Sequence, residues 1–289
     1  MADGASLPVV IPAAGLGSRF LPLTRVMPKE LLPLGGWPLI HHALLEVDRA
    51  GLRDVVVVIS PRKGAIRSYF EGDPVLERDL EARGDLRALE RLRGARRLLS
   101  RLTLNFVEKE TRGPGEAVLL AQRFTGADVM GVLLPDDVVP SSGHWDELRA
   151  LQAATGAGIL SVRSFPPDDA GRFGVAVCER EAQHMRVRRL AEKPAWGSLE
   201  SAYRIFGRYV VTSPVLDALE AQLRHADHGE VQLTDGYAAC LDTAPGIAAV
   251  EFEADFYDCG TPVEYAKALA RYASGDGSVT SLEPVRVQS

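Results

Sequence analysis

Cysteine is scarce in this chain of 289 residues. Cys178, Cys240 and Cys259 are odd in number, widely spaced and include no CxxC pair. That excludes a disulfide framework and a cysteine-based zinc site, and it points to reduced thiols in a cytoplasmic protein. Long apolar runs are also missing; none approaches the roughly 20 residues that span a bilayer, so no membrane partner is expected. Met1–Ser6 shows no basic stretch leading into an apolar one, so no signal peptide is expected. Nor is there a basic excess: 33 Lys and Arg against 39 Asp and Glu give a net charge of −6. A nucleic-acid partner is therefore disfavoured, since phosphate backbones select basic surfaces. Lysine is the rarest charged residue, present only at 29, 63, 109, 193 and 267, which singles out each one.

What is present is an ordinary globular composition, 46% hydrophobic and 25% charged, on a chain long enough for one large α/β domain. Leu7–Ile11 and Val55–Ile59 read as buried strands, with Pro38–Ala50 as a helix between them. In that helix Ile40, Ala43, Leu44 and Val47 share one face, and Gly51 is a stop signal. Further strands are expected at Leu102–Val107, Val129–Leu134 and Gly158–Val162, with helices at Glu116–Phe124 and Trp145–Ala154. Such alternation predicts right-handed βαβ units, hence an α/β, Rossmann-like fold with a mainly parallel twisted sheet flanked by helices. After residue 165 the rhythm shortens. Gly174–Cys178, Arg186–Leu190 and Ile205–Val211 read as a mixed β extension. Helices are expected at Pro214–Arg224, Leu233–Leu241 and Val263–Ala273. The charge-dense stretch Glu77–Arg101 reads as a solvated helix face or a subunit contact.

The strongest local pattern is Pro12-Ala13-Ala14-Gly15-Leu16-Gly17-Ser18-Arg19-Phe20-Leu21-Pro22, directly after a strand. Small residues there let backbone N–H groups approach a phosphate. A dinucleotide fingerprint fails, because Phe20 and Pro22 stand where a third glycine should open a helix, and a P-loop fails for want of Gly-Lys-Ser/Thr. A tight glycine turn with no ligand remains open on this loop alone. Two cations follow, however, Arg19 and Lys29, in a segment that Pro22 and Pro28 keep non-helical. A fixed guanidinium and a compact ammonium suit a triphosphate.

Gly15 to Ile40 as a block resembles the signature of the bacterial sugar-1-phosphate nucleotidyltransferases, and among them most closely the UTP–glucose-1-phosphate uridylyltransferases. The resemblance continues in family order through Gly113–Val118, Leu134–Asp137, Phe173–Val175, Glu192-Lys193-Pro194, Gly207–Val210, Gly229–Asp235 and Tyr257–Pro262, covering about residues 8–273. It implies the nucleotide-diphospho-sugar transferase fold as one domain over 1–273. Residues 8–165 would form the nucleotide half, 166–262 the sugar-phosphate half and 263–273 a terminal helix, with 274–289 a flexible tail. It implies condensation of an NTP with a sugar 1-phosphate, Mg²⁺ as cofactor, and a homo-oligomer, dimer or tetramer. By the same resemblance Ala13, Ala14, Gly15, Gly17, Arg19, Lys29, Glu108 and Gly113 would bind the nucleotide. Gly174, Glu192 and Lys193 would bind the sugar phosphate, and Arg19, Lys29 and Lys193 would serve catalysis. Asp136 and Asp258, each after a strand, would hold the metal, whose preference is for hard oxygen ligands. A non-catalytic nucleotide-sugar sensor is the rival from another class, and the presence of Lys29, Lys193 and both aspartates weighs against it.

The departures from the pattern concern substrate choice. Glu108 stands where these uridylyltransferases carry a glutamine that reads uracil. An amide donates and accepts, whereas an ionised carboxylate only accepts and suits the two N–H donors on one edge of guanine. UTP and GTP are therefore both open as the nucleotide, and an unusual sugar or cyclitol phosphate as the acceptor. Pro114 and Glu116 replace the usual Leu and His, and Ser201–Ile205 lacks the usual Asn. His41 and His42 read as packing residues of their helix, and His225 with His228 as a loop.

Overall fold

The computed structural model describes residues 7–142, 144–165, 171, 173–181, 184–192, 194, 202–225 and 229–274. Its first strands, β1 (Val9–Pro12) and β4 (Asp54–Ile59), are almost wholly buried. Their side chains alternate between two cores. Val9, Ile11, Val55, Val57 and Ile59 pack with Ile40, Leu44 and Val47 of α1 (Leu39–Arg49), whereas Val10, Val56 and Val58 pack with Val118 and Leu119 of α5 (Pro114–Thr125). Helices cover both faces, which is why an unbroken valine run makes a strand here.

The chain then adds two two-residue strands, β2 (Pro33–Leu34) and β3 (Trp37–Pro38), between β1 and α1. After β4 come α2 (Gly64–Glu71), α3 (Pro74–Ala82), α4 (Leu86–Leu99) and β5 (Thr103–Glu108). After α5 come β6 (Val129–Leu133), β7 (Asp137–Val138), α6 (Trp145–Thr155) and β8 (Gly158–Arg163). The remaining elements are β9 (Gly174–Arg180), β10 (Met185–Glu192), β11 (Ala202–Thr212), α7 (Ser213–His225), α8 (Leu233–Ala238), β12 (Ile247–Glu251), β13 (Tyr257–Asp258) and α9 (Pro262–Ser274).

The main sheet runs β5-β4-β1-β6-β11-β8-β12-β10-β9. Its first four strands are parallel, as the alternation predicts. Beyond them β11 is antiparallel to β6 and β8, β12 is parallel to β8, and β9 and β10 complete the mixed extension. β1 lies between β4 and β6, so the chain winds away from its carboxyl end in both directions. That crevice is where open α/β sheets bind ligands, and residues 13–32 run over it.

The Glu77–Arg101 stretch is two helices, not one. Asp73 and Asp85 cap α3 and α4 by accepting backbone N–H groups, and Gly84, at φ 68°, turns the chain between them. Glu77 pairs with Arg93 and Arg96 across the two helices, while Leu89, Ala95 and Leu98 are buried, so only part of this face is solvated. A small third core of Phe20, Leu32, Leu34, Leu39, Val138, Tyr257, Cys259 and Ala268 ties the residue 20–34 segment to β7, β13 and α9. No helix among the described residues is long and apolar enough to cross a membrane.

Candidate active site

Four loops meet above the crevice. Ala13 and Ala14 are buried just past β1, and Ala13 N–H donates to Val58 O at 2.8 Å, continuing the ladder into the turn. Gly15 is open to solvent, while Gly17 O accepts the Thr24 hydroxyl at 2.9 Å, so the loop is folded back on itself. Arg19 sits in the one-turn 3₁₀ segment Ser18–Phe20, whose Phe20 anchors it in the third core. A second such turn, Lys29–Leu31, presents Lys29.

Lys29 Nζ donates to Asp136 Oδ2 at 2.7 Å. Burial opposes the lysine's charge, but Asp136 and Glu30 outweigh it and hold Lys29 above its ordinary value. Burial likewise opposes ionisation of Asp136, and Lys29 overrides it, keeping the carboxyl below its usual range. Behind this pair Glu30 and Lys63 form a buried ion pair at 2.8 Å, which locks the turn that carries Lys29. Lys63 was legible only as one of the rare lysines. Lys29 and Asp136, placed by their motifs on separate loops, are in direct contact.

Asp258 reaches the same place through the two-residue bridge that pairs it with Asp137 across β13 and β7. Its Oδ1 accepts Gly260 N–H at 3.0 Å, and Cys259 N–H donates to Asp136 O at 2.7 Å, so the two aspartate loops are stitched together. A side-chain Cβ on Gly260 would lie 3.3 Å from Asp258 Oδ1, 3.6 Å from Asp136 Oδ2 and 4.0 Å from Arg19 Nη1. Glycine thus leaves a small space bordered by two carboxylate oxygens and a guanidinium. Among the described residues no cluster of three or more metal-ligating side chains exists. Two carboxylates facing one space fit a magnesium ion that draws its other ligands from phosphate oxygens and water.

Asp137 turns the other way. Its Oδ2 accepts Gly207 N–H at 3.2 Å. Burial pushes its carboxyl up to about 6, against the pull of Arg204. Gly207 belongs to a bulge in β11, where two residues interrupt the register with β8 between Phe206 and Tyr209. A Cβ there would come within 2.9 Å of both Asp137 Oδ2 and Leu134 Cβ, so only glycine allows the strands to close. The bulge also turns Arg208 inward to Glu46, with Arg208 Nε donating to Glu46 Oε1 at 2.8 Å and Trp145 Nε1 donating to the same oxygen at 2.9 Å.

Of these groups Arg19, Asp136, Asp137, Gly207, Asp258 and Gly260 line a cleft of about 430 Å³ that also takes in Phe173, Gly174, Glu192, Arg204, Gln232 and Thr234. Glu192 ends β10 directly opposite Gly174, the first residue of β9. Lys193 lies outside the described residues, as do Ser201 and His228. Gly113 precedes α5 beside Val231, whose N–H donates to Arg112 O at 2.6 Å. Pro114 lines the cleft, whereas Glu116 folds back so that its Oε2 accepts Arg112 N–H at 2.7 Å, just before the helix begins. Glu108 stands at the carboxyl end of β5, half-exposed, with Arg67 Nη2 3.4 Å away. His41 is stacked on Trp37 and His42 Nε2 meets Leu34 O at 2.8 Å, which makes both packing residues. Sequence reasoning missed Arg204, Thr234 and Gln232 as cleft residues; Arg204, a charge inside an apolar strand, was the available signal.

The chain matches the nucleotidyl transferase family model over residues 8–275 and belongs to that family. It is an enzyme of the nucleotidyltransferase class. It is 35% identical over 269 residues to a UTP–glucose-1-phosphate uridylyltransferase of Staphylococcus epidermidis, covering 92% of each chain. Among solved structures, it superimposes on the UTP-bound UDP-glucose pyrophosphorylase of Acinetobacter baumannii with a TM-score of 0.81 at 27% identity, covering 92% and 93% of the two chains. A UDP-glucose pyrophosphorylase complexed with UDP-glucose gives 0.78 at 25% identity, covering 93% and 99%.

Proposed function

We propose that this protein condenses UTP with glucose 1-phosphate to give UDP-glucose and pyrophosphate, in the cytoplasm and with Mg²⁺. The observation that carries the reading is the convergence of Asp136, Asp258 and Arg19 on the space left by Gly260, at the mouth of a cleft shared with Glu192. In this reading residues 8–165 hold the nucleotide and 166–262 the sugar phosphate. An ionised oxygen of the sugar's phosphate attacks the α-phosphorus of UTP. The bond from that phosphorus to the α–β bridging oxygen breaks, and pyrophosphate departs with the electron pair. Little covalent chemistry falls to the protein, so positioning and charge neutralisation carry the rate.

Ala13, Ala14, Gly15 and Gly17 present backbone N–H groups to the triphosphate, and Arg19 and Lys29 neutralise it and the leaving pyrophosphate. Asp136 and Asp258 hold the ion, which when bound neutralises and aligns phosphate oxygens. Lys29 is then the counter-charge already seated on Asp136. Gly174 and Glu192 receive the sugar, Glu192 accepting from its hydroxyls, and Lys193 takes its phosphate. Gly113 faces the base.

Glu108 fits uracil through its neighbour. The Arg67–Glu108 pair offers an N–H donor beside a carboxylate acceptor, the two functions a glutamine amide combines, and these answer uracil's N3–H and adjoining carbonyl. Guanine would bring two donors to a carboxylate that a guanidinium already occupies.

The test is Asp136→Asn and Asp258→Asn in Mg²⁺-dependent pyrophosphate release from UTP and glucose 1-phosphate. Each variant is expected to lose on the order of 10²-fold or more in kcat with its fold intact by circular dichroism. Retention of activity within a few fold by both would remove the metal reading.

A further inference from the structure

Arg204 and Arg208 lie four residues apart on β11, and both are buried. Arg208 is fully engaged: it donates to Glu46, Leu134 O, Gly207 O and Asp137 O. Arg204 is not. Its side chain is 10% exposed, yet its nearest charges are Asp137 Oδ1 at 3.5 Å and Asp258 Oδ2 at 3.9 Å, too far or too poorly aligned for a hydrogen bond. Its Nε is buried with no acceptor. The guanidinium is instead held by aromatic rings, Phe173 at 4.1 Å, Phe256 at 5.1 Å and Phe206 at 6.0 Å from its central carbon. Rings fix the plane of the group and consume none of its donors.

The two ion pairs answer its charge but leave the buried Nε without an acceptor, a deficit that a ligand can complete. Arg204 lines the cleft, so a ligand can reach it. The lining is acidic on balance, so an anionic ligand entering it depends on each cation it can meet. Among the described cleft-lining residues Asp136, Asp137, Glu192 and Asp258 are acidic, and only Arg19 and Arg204 are basic. Arg19 belongs to the loop after β1. On the side built by β9, β10 and β11, where Gly174 and Glu192 stand, Arg204 is the one described cation of the lining.

We infer that Arg204 binds the phosphate of the sugar 1-phosphate, donating its fork of N–H groups to two phosphate oxygens and holding the nucleophilic group beside Asp258. This rests on the function proposed above and adds a substrate-contacting residue to it. Asp137, tied to Gly207 N–H, serves as the counter-charge that keeps the guanidinium in place between turnovers.

The test separates the two substrates. Arg204→Met fills the ring cradle without charge, and Arg204→Lys keeps charge without the fork. KM is measured for glucose 1-phosphate and for UTP, alongside thermal shifts with glucose 1-phosphate, inorganic phosphate, glucose and UTP. Arg204→Met is expected to raise the glucose 1-phosphate KM by roughly 10–100-fold and to diminish the thermal shifts given by glucose 1-phosphate and phosphate at a fixed concentration. The UTP KM stays within about twofold, and Arg204→Lys recovers part of the loss. Equal weakening toward UTP would overturn the inference by assigning Arg204 to the triphosphate. An unchanged glucose 1-phosphate KM in both variants would overturn it by making Arg204 structural. Wild-type protein that turns over no sugar 1-phosphate while binding UTP would sink the function reading itself, and the inference with it.

Discussion

A buried charge has different consequences according to what answers it, and Glu46 shows the satisfied case. It accepts from Arg208 and from Trp145 Nε1 and is wholly excluded from solvent. Arg208→Met strands that carboxylate, and breaking such a pair on one side costs about 3–5 kcal/mol. Urea unfolding should show a loss of that size, and Glu46→Leu added to Arg208→Met should recover most of it; a single variant within about 1 kcal/mol of wild type would contradict the assignment. Glu108 and Arg67 are the exposed counterpart, with 42% and 38% of their side chains accessible. Glu108→Gln should leave stability within about 0.5 kcal/mol, because exposed pairs contribute little. The UTP preference should persist, since the amide keeps both donor and acceptor; a switch toward GTP in competition assays would refute the paired reading of the base.

At the scale of elements, the bulge in β11 brings Gly207 close against Asp137 and Leu134 in the cleft lining. Gly207→Ala puts a methyl 2.9 Å from Asp137 Oδ2 and from Leu134 Cβ. Overpacking of this kind costs about 1–3 kcal/mol, and the strain falls on the aspartate loop. Lower Tm together with lower kcat is expected, and a Tm unchanged from wild type would show that the strands can part freely. The same elements show what the sequence disclosed. The valine runs of β1 and β4, the helix around Leu44 and the glycine loop were legible because local periodicity decides them. β12 was not read, although Pro245-Gly246 marks a turn just before it, since the short run Ile247–Glu251 shows no alternation and pairs only with distant β8 and β10. β7 and β13, two residues each, exist only through their mutual pairing. Of the residues lining the cleft, Arg19, Asp136, Gly174, Glu192 and Asp258 were named from motifs. Their convergence was not, nor was Arg204, because a strand position does not reveal which face meets a cleft.

For the molecule as a whole, acid should unfold the protein before its carboxylates are exhausted. Burial lowers His41 to about 3, His42 to about 4 and His144 to about 3, from 6.5 when unfolded. Above pH 6.5 these groups are neutral in both states and cost nothing. As pH falls below that value the unfolded chain takes up protons that the folded chain refuses, so stability is lost progressively down to about pH 3–4. Each histidine contributes roughly 1.4 kcal/mol per pH unit through that window. Urea midpoints at pH 7.5, 6.5, 5.5 and 4.5 should be flat between the first two and then fall steeply; a midpoint that holds to pH 4.5 would show that these rings are protonated in place.

The substrate pair proposed for this cleft is a uridine nucleotide with glucose 1-phosphate. Pyrophosphate release with Mg²⁺ tests it directly, with UTP, GTP, dTTP, ATP and CTP each offered with glucose 1-phosphate and with related sugar phosphates. UTP with glucose 1-phosphate should give the highest kcat/KM, and chelating the metal should abolish release. A higher kcat/KM with GTP, or no release from any pair despite nucleotide binding, would contradict the proposal.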